Sequence, residues 1–231
     1  MTDLSIVITA HREGIIAAVT ARSARAAMAR AAAETGLSCE TVVVLDRGDA
    51  ITAGALRDTL GDLDAVRFLE TDEGDPGLAR NRGIEAAQGT CATFLDGDDL
   101  WSSNWLSEAW RACERRPDAV LHSQCNVVFG GERNVWWHVD SESALYDPLY
   151  LSWSNYWDAM SFARTSIYRD VPFRGNDLKA GYGHEDWHWN VQTVRRGIAH
   201  KPVEGTIHFK RRRPGSQMAQ VVRADATIWT D

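Results

Sequence analysis

Short apolar runs alternate with longer helical stretches through the first hundred residues. Leu4-Ser5-Ile6-Val7-Ile8-Thr9 reads as a buried strand. An Ala-rich helix is expected from Glu13 to Thr35, with Gly36 as its stop. Thr41-Val42-Val43-Val44-Leu45 is a second strand, ending at Asp46, and Ile51 to Leu60 follows as a helix. Val66-Arg67-Phe68-Leu69 is a third strand, Leu78 to Ala87 a helix, and Cys91-Ala92-Thr93-Phe94-Leu95 a fourth strand after Gly89. This β-α-β-α order predicts an α/β fold, a mainly parallel sheet with helices on both faces. Ligands of such sheets sit beyond the carboxyl ends of the strands, where Thr9, Asp46 and Asp96 fall.

The second half is less regular. Ser103 to Arg115 is an amphipathic helix with Trp105, Leu106, Ala109, Trp110 and Cys113 on its apolar stripe, ended by Pro117. Ala119 to Phe129 reads as a strand closed by a turn at Gly130-Gly131. Residues 132–160 are aromatic-rich and take no clear pattern. Glu185 to Arg196 is a helix stopping at Gly197, and Thr206 to Lys210 a strand leading into Arg211-Arg212-Arg213-Pro214-Gly215-Ser216. No repeat or linker interrupts the chain. Its 231 residues suit a single domain, read as two halves at about 1–100 and about 101–231. Nine of the ten tryptophans lie between Trp101 and Trp189, so the two halves differ chemically.

A net charge of −7 argues against a nucleic-acid partner. Cys39, Cys91, Cys113 and Cys125 form no C-x-x-C pair and read as reduced thiols of a cytoplasmic protein, not a disulfide framework or zinc site. The N-terminus lacks the pattern of a signal peptide. No apolar run approaches the roughly 18 residues of a membrane span, which leaves peripheral membrane association open.

The chemistry concentrates at Asp96-Gly97-Asp98-Asp99, directly after the fourth strand. Crowded carboxylates repel and raise one another's pKa, a cost that a cation relieves. Carboxylate oxygens suit hard ions such as Mg²⁺ or Mn²⁺, which also bind phosphate. A solvated turn is the plain alternative. An EF-hand loop is excluded, because its sixth and twelfth positions would be Trp101 and Ser107.

Gly77-Leu78-Ala79-Arg80-Asn81-Arg82-Gly83, then Gly89, then Leu95-Asp96-Gly97-Asp98-Asp99 resemble the inverting family-two glycosyltransferases of the GT-A fold. Val43-Val44-Leu45-Asp46, Gly183-His184-Glu185-Asp186-Trp187 and Arg212-Arg213-Pro214-Gly215-Ser216 extend that resemblance over residues 4–216. It implies transfer of a sugar from a UDP-, GDP- or dTDP-sugar to the hydroxyl of a glycan, lipid-linked or small-molecule acceptor, with Mn²⁺ or Mg²⁺ as cofactor, the half at about 1–100 binding the nucleotide sugar and the half at about 101–231 binding the acceptor and carrying the catalytic base. Thr9, Ala10, Glu13, Asp46, Arg80, Asp96, Gly97, Asp98 and Arg213 would then bind the nucleotide sugar. Asp46 would meet the base, Arg80 the base or phosphates, Asp96 the ribose or metal, and Asp98 the metal directly, Asp99 assisting or positioning. Asp186 would be the general base and Glu185 its substitute. The competing view is that these two acids only cap a helix. Arg47 and Arg213 depart from the family pattern, where aspartate and histidine are usual. Arg213 can still bind phosphate, and a diphosphate contact is expected from residues 210–213.

His184, Trp187, Trp153 and Trp157 are expected to form an aromatic acceptor cleft, with Trp136-Trp137 nearby. A homodimer is left open. Two rival functions share parts of this pattern. A sugar nucleotidyltransferase would need a Gly-rich loop with lysine after the first strand, and Thr9-Ala10-His11-Arg12-Glu13-Gly14 has one glycine and no lysine. A non-catalytic nucleotide- or carbohydrate-binding module would not need Asp98 and Asp186 together. A dehydrogenase is disfavoured, since no G-x-G-x-x-G follows the first strand.

Overall fold

The structure is a computed structural model that describes residues 2–213 and 215–229. Pro214 of the expected late loop lies outside them. The first half follows the apolar pattern closely. β1 (Leu4–Ala10), β2 (Cys39–Asp46), β3 (Val66–Thr71) and β4 (Cys91–Asp96) alternate with α1 (Ala17–Thr35), α2 (Ala50–Leu60) and α3 (Pro76–Ala86). A 3-10 turn at Gly14–Ile16 replaces the expected first turn of α1. Gly36 ends α1 at φ 71°, a left-handed cap that costs glycine no Cβ clash. Asp49 and Asp75 cap α2 and α3, accepting the backbone N–H of Thr52 and Leu78.

β1 pairs in parallel with both β2 and β4, and β2 with β3. Alternation along β1 then divides the core. Leu4, Ile6 and Ile8 face α1 and α2, where Ala17, Ala21, Ala24, Ala27 and Ala31 form a stripe of small residues. Val7 faces the opposite layer with Val42, Val44, Ala79 and Phe94. Gly83 lets α3 approach that layer closely: a Cβ there would stand 2.2 Å from Val7 Cγ1.

The second half adds β5 (Leu100–Trp101), α4 (Trp105–Arg115), β6 (Val120–Gly130), β7 (Asn134–Trp137), β8 (Ser161–Arg164), α5 (Thr165–Asp170), α6 (Glu185–Arg195), β9 (His200–Arg212) and α7 (Gln217–Arg223). The nine strands form one sheet in the order β3-β2-β1-β4-β8-β6-β9-β5, with β7 continuing the β8 edge of β6. β8 runs antiparallel to both β4 and β6, while β6 and β9 are parallel. β9 is far longer than the expected Thr206–Lys210. Its apolar pattern is broken at Glu204-Gly205, where the β6 register shifts between Ser123 and Cys125. Trp105 is fully buried, whereas Trp110 is only partly buried. The four cysteines are free thiols. Among the described residues, no helix is long and apolar enough to cross a membrane.

Candidate active site

The carboxyl ends of β1, β2 and β4 open into a cavity of about 750 Å³, closed on the far side by the start of α6, the end of β9 and the 150–159 segment. Register brings Thr9 beside Asp96, and the Thr9 hydroxyl donates to Asp96 Oδ1 at 2.9 Å. Arg80, from α3, donates from Nη2 to the same oxygen at 2.8 Å and from Nη1 to Glu185 Oε1 at 3.0 Å. Burial alone would raise Asp96, but Arg80 and Lys210 outweigh it and hold the carboxyl down at about 2.

Asp98 faces the cavity with Arg213 Nε 3.0 Å from its Oδ2. The angle is too poor for a hydrogen bond, so this is a charge contact. Burial raises Asp98 and Arg213 opposes that rise. Arg213 Nη2 also reaches Glu13 Oε1 at 3.3 Å, while Glu13 Oε2 accepts the His11 N–H at 2.6 Å. Burial raises the Glu13 carboxyl as well. Asp99 turns inward: its Oδ1 accepts the Arg211 N–H at 2.6 Å, and burial pushes it to about 7 against the pull of Lys210.

Asp186 approaches from the first turn of α6, behind His184, which adopts a left-handed φ of 59°. Its Oδ1 accepts the Trp187 N–H at 2.7 Å. Burial, and then Glu185, push Asp186 up to about 7. Glu185 is tied down by Arg80 and by Asn176 Nδ2 at 3.1 Å, so it is a poor substitute base.

The glycosyl transferase family 2 profile matches residues 5–174. The chain belongs to glycosyl transferase family 2. No curated protein matches it. Among solved structures, TarS of S. aureus is similar at TM-score 0.66 and 20% identity, over 96% of this chain and 38% of that one. TarS 1–349 in complex with UDP-GlcNAc gives 0.62 and 18%, over 94% and 61%. A mannosyltransferase from Pyrobaculum calidifontis in complex with GDP-Man and Mn²⁺ gives 0.65 and 15%, over 94% and 59%. The chain therefore spans less than two thirds of the length of each, and the likeness establishes the expected GT-A fold.

For this family 2 chain, several expected roles change. Arg80 lines the cavity but is 3% exposed, its guanidinium engaged as a strut between Asp96 and Glu185. Gly97 does not line the cavity. Its N–H bonds to Thr9 O at 2.8 Å, and a Cβ there would meet Ala10 Cβ at 3.0 Å, so it permits close approach of the turn to β1. Asp46 lines the cavity, but its oxygens already accept Thr71 Oγ1, Glu73 N and Gly74 N, holding the loop after β3. Arg47 pairs with Asp72 across that loop.

Trp157 is fully buried, stacked on His200 at 4.2 Å and bonded to Val139 O, so it belongs to the core and not to a cleft. Trp153 is 74% exposed and does line the cavity, with Trp136, Tyr150, His184 and Trp187. Ala10, Glu13 and Arg213 line it too. Lys210 lies in the cavity floor, mostly covered, with Asp99 and Asp158 beside its ammonium. Asp158 beside it carried no sequence signal, since it falls in the unpatterned 132–160 stretch.

The protein's own cations relieve part of the crowding that pointed to a metal. Nine carboxyl groups and six Lys or Arg side chains nonetheless line the cavity, an excess of acids even with Asp99 and Asp186 pushed to about 7. Among the described residues no group of three or more His, Cys, Asp or Glu is arranged to hold a metal alone. Mg²⁺-type sites commonly use one or two carboxylates plus substrate phosphates. Asp98 and Asp96 fit that pattern, with oxygen donors only and an excess of negative charge that a bound diphosphate would increase.

Proposed function

We propose that the chain is a metal-dependent inverting glycosyltransferase, moving a sugar from a nucleoside-diphosphate sugar to an acceptor hydroxyl. One observation carries the reading: two carboxylates reach one cavity in opposite electrostatic environments. Asp96 is held ionised, while Asp186 is pushed to about 7. Such divergence separates a group that stays charged from one that exchanges a proton. Membership of family 2 supports it, as do neighbours bound to UDP-GlcNAc and to GDP-Man with Mn²⁺.

Thr9, Ala10 and Asp46 would line the nucleoside end. Asp98, with Asp96, would hold Mn²⁺ or Mg²⁺ against the diphosphate. An ion held there would offset the charge that grows on the leaving diphosphate. Arg213 has the donors to move from Asp98 to a phosphate oxygen. Trp153, Tyr150, Trp136, His184 and Trp187 would hold the acceptor. Asp186 would accept the acceptor hydroxyl proton as that oxygen bonds to the anomeric carbon, and the nucleoside diphosphate leaves from the opposite face. The test is incubation with UDP-, GDP- and dTDP-sugars and Mn²⁺, with product analysis. Release of nucleoside diphosphate that Asp98→Ala abolishes is expected. No release from any of the three donor classes would contradict the proposal, and pyrophosphate release from a sugar phosphate and a nucleoside triphosphate would favour the nucleotidyltransferase.

A further inference from the structure

Lys210 lies two residues before the end of β9 with its ammonium in the cavity floor; the side chain is 13% exposed. Nζ lies 3.4 Å from Asp158 Oδ2, 3.5 Å from Asp99 Oδ2 and 4.0 Å from Asp96 Oδ2. The three carboxylates come from separate segments: the end of β4, the turn after it, and the stretch before β8. Asp158 is 1% exposed and is fixed in turn by Asn126 Nδ2 of β6 at 2.8 Å. The N–H of Arg211 on Asp99 locks the strand beside Lys210. A buried ammonium stays charged only where partners compensate it, and here three do.

Asp186 lines the same cavity. The charged groups acting on it are Glu185 on its own helix, Arg80 from α3, Lys210 from β9 and Asp158 from the stretch before β8. His184 stands at the cap of α6. Arg80 is already shared between Asp96 and Glu185. We infer that Lys210, seated on Asp158, is a positioning residue: one fixed positive charge gathers Asp96 and Asp99 on the donor side and acts across the cavity it shares with Asp186 on the acceptor side. Without it, Asp186 faces Glu185 and Asp158 with only Arg80 in compensation, and its carboxylate form is disfavoured. The catalytic meaning of Asp186 rests on the function proposed above; the charge arrangement does not.

The chain has three lysines, Lys179, Lys201 and Lys210, so each ammonium can be assigned by Lys→Arg substitution. In the wild-type protein, the Lys210 ammonium is expected to give a ¹⁵N–¹H signal protected from solvent exchange at neutral pH. Exchange as fast as that of a solvated lysine would overturn the proposal without any variant being made. A ¹³C-carboxylate titration of the metal-free full chain, with Asp186 assigned through Asp186→Asn, then reads the coupling. Lys210→Met, or Lys210→Gln should the first not fold, is expected to move the Asp186 midpoint up by about one unit or more, a tenfold change in ionisation. Lys210→Arg should restore it. An unmoved midpoint in a folded charge-free variant would overturn the inference. Both readouts are independent of turnover, so loss of the proposed function with these results intact would leave Lys210 in place, and the reverse would hold equally.

Discussion

Asp186 combines a place in the first turn of α6, where it accepts the Trp187 N–H, with a carboxyl pushed to about 7, and the two roles make different demands on it. Asparagine caps about as well as aspartate but cannot take a proton. Asp186→Asn is therefore expected to lower kcat by ~10²–10⁴ with donor affinity nearly unchanged; near-normal turnover would reduce Asp186 to a cap. A carboxyl with that pKa is protonated, and useless as a base, below about 7. kcat/KM for the wild type should accordingly rise with pH through an acid limb near neutrality, not near the usual carboxylate range. A limb near pH 4 would separate the base from Asp186. Asp46→Ala removes the acceptor that holds Glu73 N and Gly74 N, so it should weaken nucleotide binding by ~1–3 kcal/mol. An unaltered Kd would place the base elsewhere. Aspartates at strand ends were legible because their sequence positions already fix them at the mouth of a parallel sheet. Side chains whose meaning depends on distant partners were not. Trp153 and Trp157 are four residues apart in one unpatterned stretch, and only packing separates the exposed ring from the core ring. Arg80 reads as a ligand until Glu185, 105 residues away, is seen at its other end.

At the scale of elements, α3 and α6 are joined through Arg80, which is buried and bridges two carboxylates. Removing one partner of a buried ion pair leaves uncompensated charge. Arg80→Met should cost ~3–5 kcal/mol in denaturant unfolding. A loss under about 1 kcal/mol would mean that the bridge is solvated. The contact of α3 with β1 is limited by Gly83: Gly83→Ala forces a methyl onto Val7 and should cost ~1–3 kcal/mol by overpacking. The first four strands and three helices were legible because each strand is a run of apolar residues and each helix has its own cap or stop. β9 was read at a fraction of its length because the bulge at Gly205 interrupts its alternation. β8 and α5 follow each other directly at Arg164-Thr165, and neither is long enough to establish a period.

At the scale of the molecule, one continuous sheet carries both sides of the site. β1, β2 and β4 deliver Thr9, Asp46 and Asp96, while β9 and α6 bring Lys210, Arg213 and Asp186 from the other side. On the function proposed above, the excess of carboxylates lining the cavity would make nucleoside-diphosphate binding depend on a cation, with Asp98 as the carboxylate proposed to hold it. Binding that selects the folded state also raises the melting temperature, but calorimetry reads the linkage itself. UDP and GDP are titrated into the wild-type protein and into Asp98→Ala, each with and without Mn²⁺, beside matched melting curves. The expected result is that one of the two nucleotides binds the wild type more tightly with Mn²⁺, and that Asp98→Ala loses this enhancement while remaining folded. Equal Mn²⁺-dependent affinity in Asp98→Ala, or no binding of either nucleotide by the wild type, would contradict the assignment of this cavity to a metal-assisted nucleotide-sugar site.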